Sequence, residues 1–349
     1  MKILLALLII AIGSLGQSSS YVPINKVHNW SWECFWLIQG CFAWLLFPWL
    51  GAMLSLPEGM TLCDLYFSLP FEGRAGDGSG LSILYGALWG IGGLTFGLSM
   101  RYLGVALGQS IALGTCSAFG TLLPALFAGT DLLHGEGLIL LLGVCITLAG
   151  ITIIGFAGSL RTKGLSEEEQ RAAIKDFALT KGLLVALLAG VMSACFALGL
   201  DAGQGVREAM TAAGANSLLA GLPVILLVTF GGFLTNAAYC LYQNAKNHTF
   251  NQYIQISLRD KINNVLFCAL AGLLWYSQFF GLEIGKSLLT DSPVLLAFSW
   301  CILMSLNILF SNMWGLILHE WKGAKPLTLV VLIAGLVVLL FSVFFPSLV

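Results

Sequence analysis

The chain has 349 residues, of which 58% are hydrophobic and only 9% charged, and its net charge is −1. A soluble globular chain carries roughly a quarter charged residues, so this one lacks the polar surface a water-soluble fold needs, and the bilayer must be its main solvent. The near-zero net charge leaves no basic footprint for nucleic acid.

Ten windows reach the roughly 20 apolar residues that a spanning helix requires. They run over 3–22, 33–54, 81–100, 104–128, 137–158, 182–201, 217–241, 263–284, 293–318 and 327–347. The first follows Met1-Lys2 and contains Ser14-Leu15-Gly16, the outline of a cleavable signal peptide. The rival reading is a first transmembrane helix, extended through Gln17 to Tyr21 and stopped at Pro23. Pro48, Pro124 and Pro223 fall inside windows, where a kink is tolerated if neighbouring groups satisfy the freed carbonyl.

Lys and Arg in short loops set orientation. With a periplasmic N-terminus, twelve of the 16 basic residues, from Lys26 and Arg101 to Lys322 and Lys325, lie in cytoplasmic loops. Only Lys2, Arg74, Arg207 and Lys286 lie on the other side. Both termini are therefore expected to be periplasmic, with the acidic loop from Glu58 to Asp77. The most charged stretch, Arg161 to Lys181, contains Ser166 and Glu169 at capping-box spacing. This predicts a short helix through Ile174 within a cytoplasmic linker.

The two halves can be laid over each other at an offset of about 186 residues. Gly86-Ala87-Leu88-Trp89 matches Gly272-Leu273-Leu274-Trp275, and Leu133-His134-Gly135-Glu136 matches Leu318-His319-Glu320. Small residues around Gly13 to Ser18 match those around Gly190 to Ser193. The expected organisation is a first five-helix repeat over 1–158, a linker over 159–181 and a second five-helix repeat over 182–349. Because five is odd, the second copy enters the membrane inverted, an arrangement characteristic of transporters that alternate access to a midplane site. Glycines make up about 12% of the chain against an average of about 7%. Gly86, Gly90, Gly93 and Gly97 share one helix face. Close helix packing explains that pattern, and a bare face also lets a ligand approach the backbone.

Nine cysteines are scattered without a CxxC pair, and the four histidines show no HxxxH spacing. They predict small buried side chains rather than disulfides or metal sites. No cofactor is expected. An enzyme would need clustered catalytic groups within the spans, and the sequence offers none.

Several motifs carry a family resemblance. They are Trp30-Ser-Trp-Glu33, Gly86-Ala-Leu-Trp-Gly-Ile-Gly92, Phe96-Gly-Leu-Ser-Met-Arg-Tyr-Leu-Gly104, Trp275-Tyr-Ser-Gln-Phe-Phe280, Phe298-Ser-Trp300 and Glu320-Trp321. In these the chain resembles the L-rhamnose–proton symporters of the drug/metabolite transporter superfamily, whose members resemble two five-helix repeats. The similarity covers essentially the whole chain, including the first segment, and so keeps that segment in the fold. The chain departs from the family pattern at Gly93, Phe96, Leu303 and Asn307, and it offers Gln109 and Asp201 where the family has other residue types. The resemblance implies a secondary active importer of L-rhamnose, or a closely related monosaccharide, with protons across the bacterial inner membrane. The alternative is an exporter or exchanger of another small metabolite.

A sugar site needs a flat apolar surface for the ring and hydrogen-bond partners for its hydroxyls. Trp89 and Trp275 stand at matching positions of the two repeats and could supply the surface. Packing or interfacial anchoring is the other reading of a membrane tryptophan. Gln109, Gln278 and Asn307 are amides in apolar runs, suited either to a sugar or to hydrogen bonds between helices. Ionisable groups in a span are costly and usually functional. Glu33 and Asp201 are the proton-coupling candidates, with a helix-end or ion-pair role as the alternative. Glu283 and Asp291 flank the turn between the eighth and ninth windows. The His134/Glu136 and His319/Glu320 pairs are read as structural corners.

Overall fold

The computed structural model describes residues 2–68, 75–103, 105–164 and 179–349. The proposed capping box at Ser166 and Glu169, its short helix, and part of the acidic loop lie outside the described residues. Among the described residues the chain forms helices and no strand, and ten helices are long and apolar enough to cross a membrane. They are α1 (Lys2–Ile24), α2 (Trp32–Ser55), α3 (Gly78–Met100), α4 (Leu107–Phe127), α5 (Gly135–Lys163), α6 (Thr180–Ala212), α7 (Leu222–Asn247), α8 (Leu258–Leu288), α9 (Pro293–Ile317) and α10 (Pro326–Leu348). Each window read from hydropathy corresponds to one of them, and the chain is a multi-pass membrane protein.

The ends differ from the hydropathy windows where capping outweighs composition. Proline occupies the first or second position of α7, α9 and α10, where its missing N–H costs nothing. α8 begins earlier than its apolar run because Ser257 caps it. The Ser257 Oγ accepts from the Asp260 backbone N–H at 3.1 Å and donates to the Asp260 carboxylate at 2.8 Å, a reciprocal cap. α7 stops at His248, whose left-handed backbone (φ 55°) ends the helical hydrogen-bond run. α6 continues past Asp201 through a final segment, Gln204–Ala212. Val206 and Met210, one turn apart on it, bury against Leu65, Ala220, Val224 and Leu227.

Within α2 the residues Cys41–Leu46 form a π-helical turn. Pro48 explains it. A proline ring clashes with the carbonyl four residues back, here that of Trp44, and it donates no hydrogen bond. A wider turn removes both conflicts.

By packing, the chain forms two compact units. One comprises Met1–Leu7, Ile91–Leu198 and Leu288–Val349, and the other Leu8–Gly90 and Gly199–Ser287. Each draws on both halves of the sequence. The first holds α4, α5, α9 and α10. In it α5 meets α10 across glycine: a side chain on Gly150 would reach Leu339 N at 3.0 Å, and one on Gly335 would reach Ile154 N at 3.0 Å. Ile151, Ile154, Ala157, Ile308, Leu332 and Leu339 fill the adjoining core.

The second unit holds α2, α7, most of α1 and α8, and the first part of α3. Here Gly86 lies against the Val228 carbonyl and Gly231 against the Ile83 carbonyl, so α3 and α7 touch backbone to backbone. Gly90 belongs to the same contact, 2.9 Å from the Gly232 carbonyl when given a Cβ. The glycine face therefore divides: Gly86 and Gly90 pack, while Gly93 and Gly97 meet nothing within 4 Å among the described residues. α1 meets α8 in the same way: a side chain on Gly13 would reach the Gln278 and Gly281 backbones at 3.0 and 3.2 Å.

Candidate functional site

The π-helical turn fixes the first element of the site by turning Trp44 inward. Trp44 is 6% exposed, and its ring stands edge-on to both Trp89 (5.9 Å, 87°) and Trp275 (6.2 Å, 83°). Those two rings stack on each other at 5.9 Å and 27°. Phe279, one turn beyond Trp275, packs on it at 5.2 Å, and Trp36 packs on Trp44 at 5.5 Å. Edge-to-face and offset-stacked contacts are the favoured aromatic geometries, so the cluster is well packed as it stands. Gly232 makes room for it: a Cβ there would fall on the six-membered ring of Trp89.

Hydrogen bonds set the polar frame. Trp36 Nε1 donates to Asn236 Oδ1 at 3.0 Å, and Asn236 Nδ2 donates to the Gly232 carbonyl at 2.9 Å. Gln278 Nε2 donates to the Trp275 carbonyl at 3.0 Å. Trp44 Nε1, Gln39 Oε1 and the Tyr276 hydroxyl are buried without a hydrogen-bond partner among the described residues. A buried polar atom left unpaired costs about 1–3 kcal/mol, and such groups usually answer to a role.

Of the residues expected from sequence, Trp89, Trp275 and Gln278 come together in this unit. Gln109 and Asn307 belong to the other compact unit. Gln109 is half-buried on α4 and Asn307 is buried on α9. Asn307 follows a buried polar seam on α9. In that seam Cys301 Sγ donates to Thr147 Oγ1 at 3.3 Å and lies 3.2 Å from Ser117 Oγ, and Trp300 stacks on Phe196 at 5.7 Å. Sequence reading missed Trp44 and Gln39. The available signal was Pro48 four residues after Trp44.

The acids differ in environment. Glu33 is 6% exposed. Its Oε1 accepts from Asn247 Nδ2 at 3.0 Å and Thr249 Oγ1 at 2.9 Å. Asn244 Oδ1, 3.0 Å from Thr249 Oγ1, shares that one hydroxyl proton with Glu33, and Asn244 Nδ2 donates to the Tyr253 hydroxyl at 3.3 Å. Burial pushes the Tyr253 hydroxyl pKa up, so Tyr253 stays a neutral donor and acceptor. Asp201 is exposed. At the corners, His134 Nδ1 lies 2.8 Å from Asp131 rather than on Glu136, and His319 Nδ1 lies 2.8 Å from the Ile317 carbonyl.

A groove of about 370 Å³ opens beside α4 and α5, lined by Leu107, Gly114, Thr115, Leu148 and Thr152 among others. Its Thr115 and Thr152 hydroxyls donate back to the carbonyls of Ile111 and Leu148, each at 2.7 Å. What remains is largely apolar and suits lipid better than a sugar.

The family model described as L-rhamnose-proton symport protein matches residues 1–347. A Yersinia pestis (strain Pestoides F) protein named L-rhamnose-proton symporter is 34% identical over 337 residues, covering 95% of this chain and 93% of the relative. A Yersinia pseudotuberculosis (serotype O:1b, strain IP 31758) protein of the same name matches to the same extent.

Proposed function

The chain belongs to the L-rhamnose-proton symport protein family, and on that premise we propose that it imports L-rhamnose, or a closely related monosaccharide, with protons across the bacterial inner membrane. The observation that carries the reading is the aromatic cluster of Trp44, Trp89 and Trp275, in which the Trp44 N–H is buried without a hydrogen-bond partner among the described residues. Flat rings match the C–H face of a pyranose, and the Trp44 N–H can donate to one of its hydroxyls. Trp89 and Trp275 cover one another's inner faces here, so the sugar enters by parting that stack. Gln278 supplies an amide on the same helix face. Gln109 and Asn307 are kept as substrate-binding candidates on the strength of the sequence alone.

In this reading the fold is two inverted five-helix repeats, 1–158 and 182–349, joined by the 159–181 linker, with both termini periplasmic. The support is the internal sequence match, the odd number of spans in each half and the basic-residue bias. Glu33 and Asp201, the proton-coupling candidates, then stand towards the cytoplasmic and periplasmic ends of the second unit.

One proton moving down 100 mV supplies about 2.3 kcal/mol. At about 1.36 kcal/mol per tenfold change, that supports roughly fifty-fold accumulation of a neutral sugar. The test is uptake of labelled L-rhamnose into proteoliposomes with and without an imposed proton gradient. Gradient-dependent accumulation is expected. Uptake of an unrelated metabolite and of no monosaccharide would overturn the reading.

A further inference from the structure

Glu283 is the most enclosed acid among the described residues, with a side chain 1% exposed, and it is ion-paired to Arg207. The pair is seated where the chain makes room for it. Gly221, immediately before α7, lies directly against Glu283 Oε2 and Arg207 Nη2, and any side chain there would collide with both. The start of α7 also presents the positive end of a helix to the carboxylate. Arg207 is held by the last segment of α6, which Val206 and Met210 anchor in the core.

The surrounding groups form a balanced set. Lys286 interacts electrostatically with Glu283, Arg207 and Asp201. Tyr276 is in electrostatic range of Glu283 and of Tyr66, and the Tyr66 hydroxyl donates to the Pro223 carbonyl at 2.9 Å. Two cations, Arg207 and Lys286, thus face two acids, Glu283 and Asp201. Tyr66 and Tyr276 are further titratable groups at the cluster among the described residues. Breaking a buried pair by removing one partner is costly, whereas the pair itself adds little net stability. That asymmetry is what a switch requires.

Position on α8 links this cluster to the aromatic one. Trp275, Phe279 and Glu283 follow at intervals of four and so share one helix face, with the carboxylate about 12 Å along the axis from Trp275. We propose that Glu283, latched by Arg207, is the proton-binding group whose protonation state is coupled to the Trp275 platform through α8. This inference rests on the symport reading above. A proton taken from water, with Asp201 as the exposed neighbour, forms an O–H bond on Glu283. The ion pair with Arg207 breaks and α8 is freed to part Trp275 from Trp89. Loss of the proton on the opposite side restores the pair. No other reactant is consumed.

The experiment reconstitutes the full-length wild type, Glu283→Gln and the double variant Arg207→Gln/Glu283→Gln into proteoliposomes. Two readouts are taken on each: accumulation of labelled L-rhamnose under an inward proton gradient, and exchange of labelled for unlabelled L-rhamnose without a gradient. Glu283→Gln is expected to lower the accumulation ratio to one and to abolish its pH dependence, while exchange stays within about threefold of wild type. The double variant, which leaves no unpaired cation, is read in its place if the single variant fails to fold, with the same expectation. Gradient-driven accumulation retained in the variant overturns the proposal. So does loss of exchange in a monodisperse, correctly folded variant, since that marks the pair as structural. Failure of the wild type to take up L-rhamnose rejects the symport reading and is distinguished by that control.

Discussion

Replacing Glu33 tests whether its polar network holds α2 to the end of α7. The carboxylate oxygen accepts two hydrogen bonds, from Asn247 at 3.0 Å and Thr249 at 2.9 Å. Hydrogen bonds to a charged group are worth about 1.5–3 kcal/mol each and neutral ones about 0.5–1.5. Glu33→Gln keeps an oxygen in place and loses only the charge assistance, about 2 kcal/mol over the two bonds. Glu33→Ala removes the acceptor. Thr249 then still has Asn244 Oδ1 at 3.0 Å, but the Asn247 amide is left without its carboxylate, and the total loss rises to about 3–4 kcal/mol. At about 2 °C per kcal/mol for a chain of this size, the midpoint in detergent falls roughly 4 °C for the amide and 7 °C for alanine. Thermal denaturation followed by size-exclusion chromatography reads this directly. An alanine variant within 1 °C of wild type, or one more stable than the glutamine variant, would show that the network does not hold the helices.

Other outcomes follow from the same structure. Trp44→Phe keeps an aromatic ring against Trp89 and Trp275 and removes the unpaired N–H. The KM for sugar should rise by up to about tenfold with the maximal rate retained, and an unchanged KM removes that N–H from the site. Pro48→Ala returns a backbone donor and lifts the clash that shapes the π-helical turn. A shift in tryptophan emission together with weaker uptake is expected, and identical spectra and kinetics would count against the turn's origin in Pro48. Gly232→Ala places a methyl in the ring of Trp89, and such overpacking costs about 1–3 kcal/mol. Uptake should fall while membrane expression persists, and wild-type uptake refutes the seating argument. In a background with the exposed Cys63 and Cys145 replaced by Ser, a cysteine at Lys163 should be labelled only from the cytoplasm and one at Ser347 only from the periplasm. Labelling of both from one face contradicts two inverted halves.

Much of this protein was readable from hydropathy alone, because lipid allows a simple rule. Each span must satisfy its backbone internally as a helix, so every apolar window became one helix. Capping chemistry moved the ends, visibly so at Ser257 and His248. The pairing of Gly86 with Trp89 and of Gly272 with Trp275 also marked the helices that carry the aromatic cluster, since a repeated motif survives in one dimension.

Three things were decided only by tertiary structure. Trp44 turns inward because Pro48 widens the turn before it, an effect of backbone sterics on helix phase that no hydrophobic period reports. Gly90 and Gly93 look alike on a helical wheel, yet one lies against α7 and the other meets nothing within 4 Å among the described residues, because contact depends on which neighbour passes there. Glu283 and Arg207 lie far apart in the chain, and from sequence one flanks a turn and the other sits in a loop. Packing of the α6 end against the start of α7 enclosed them together, and burial is a property of the assembled helices, not of either segment. Composition and periodicity thus determined the solvent, the number of spans and the helices that matter. Which side chains face one another awaited the three-dimensional packing, since contacts between distant segments leave no local trace in the sequence.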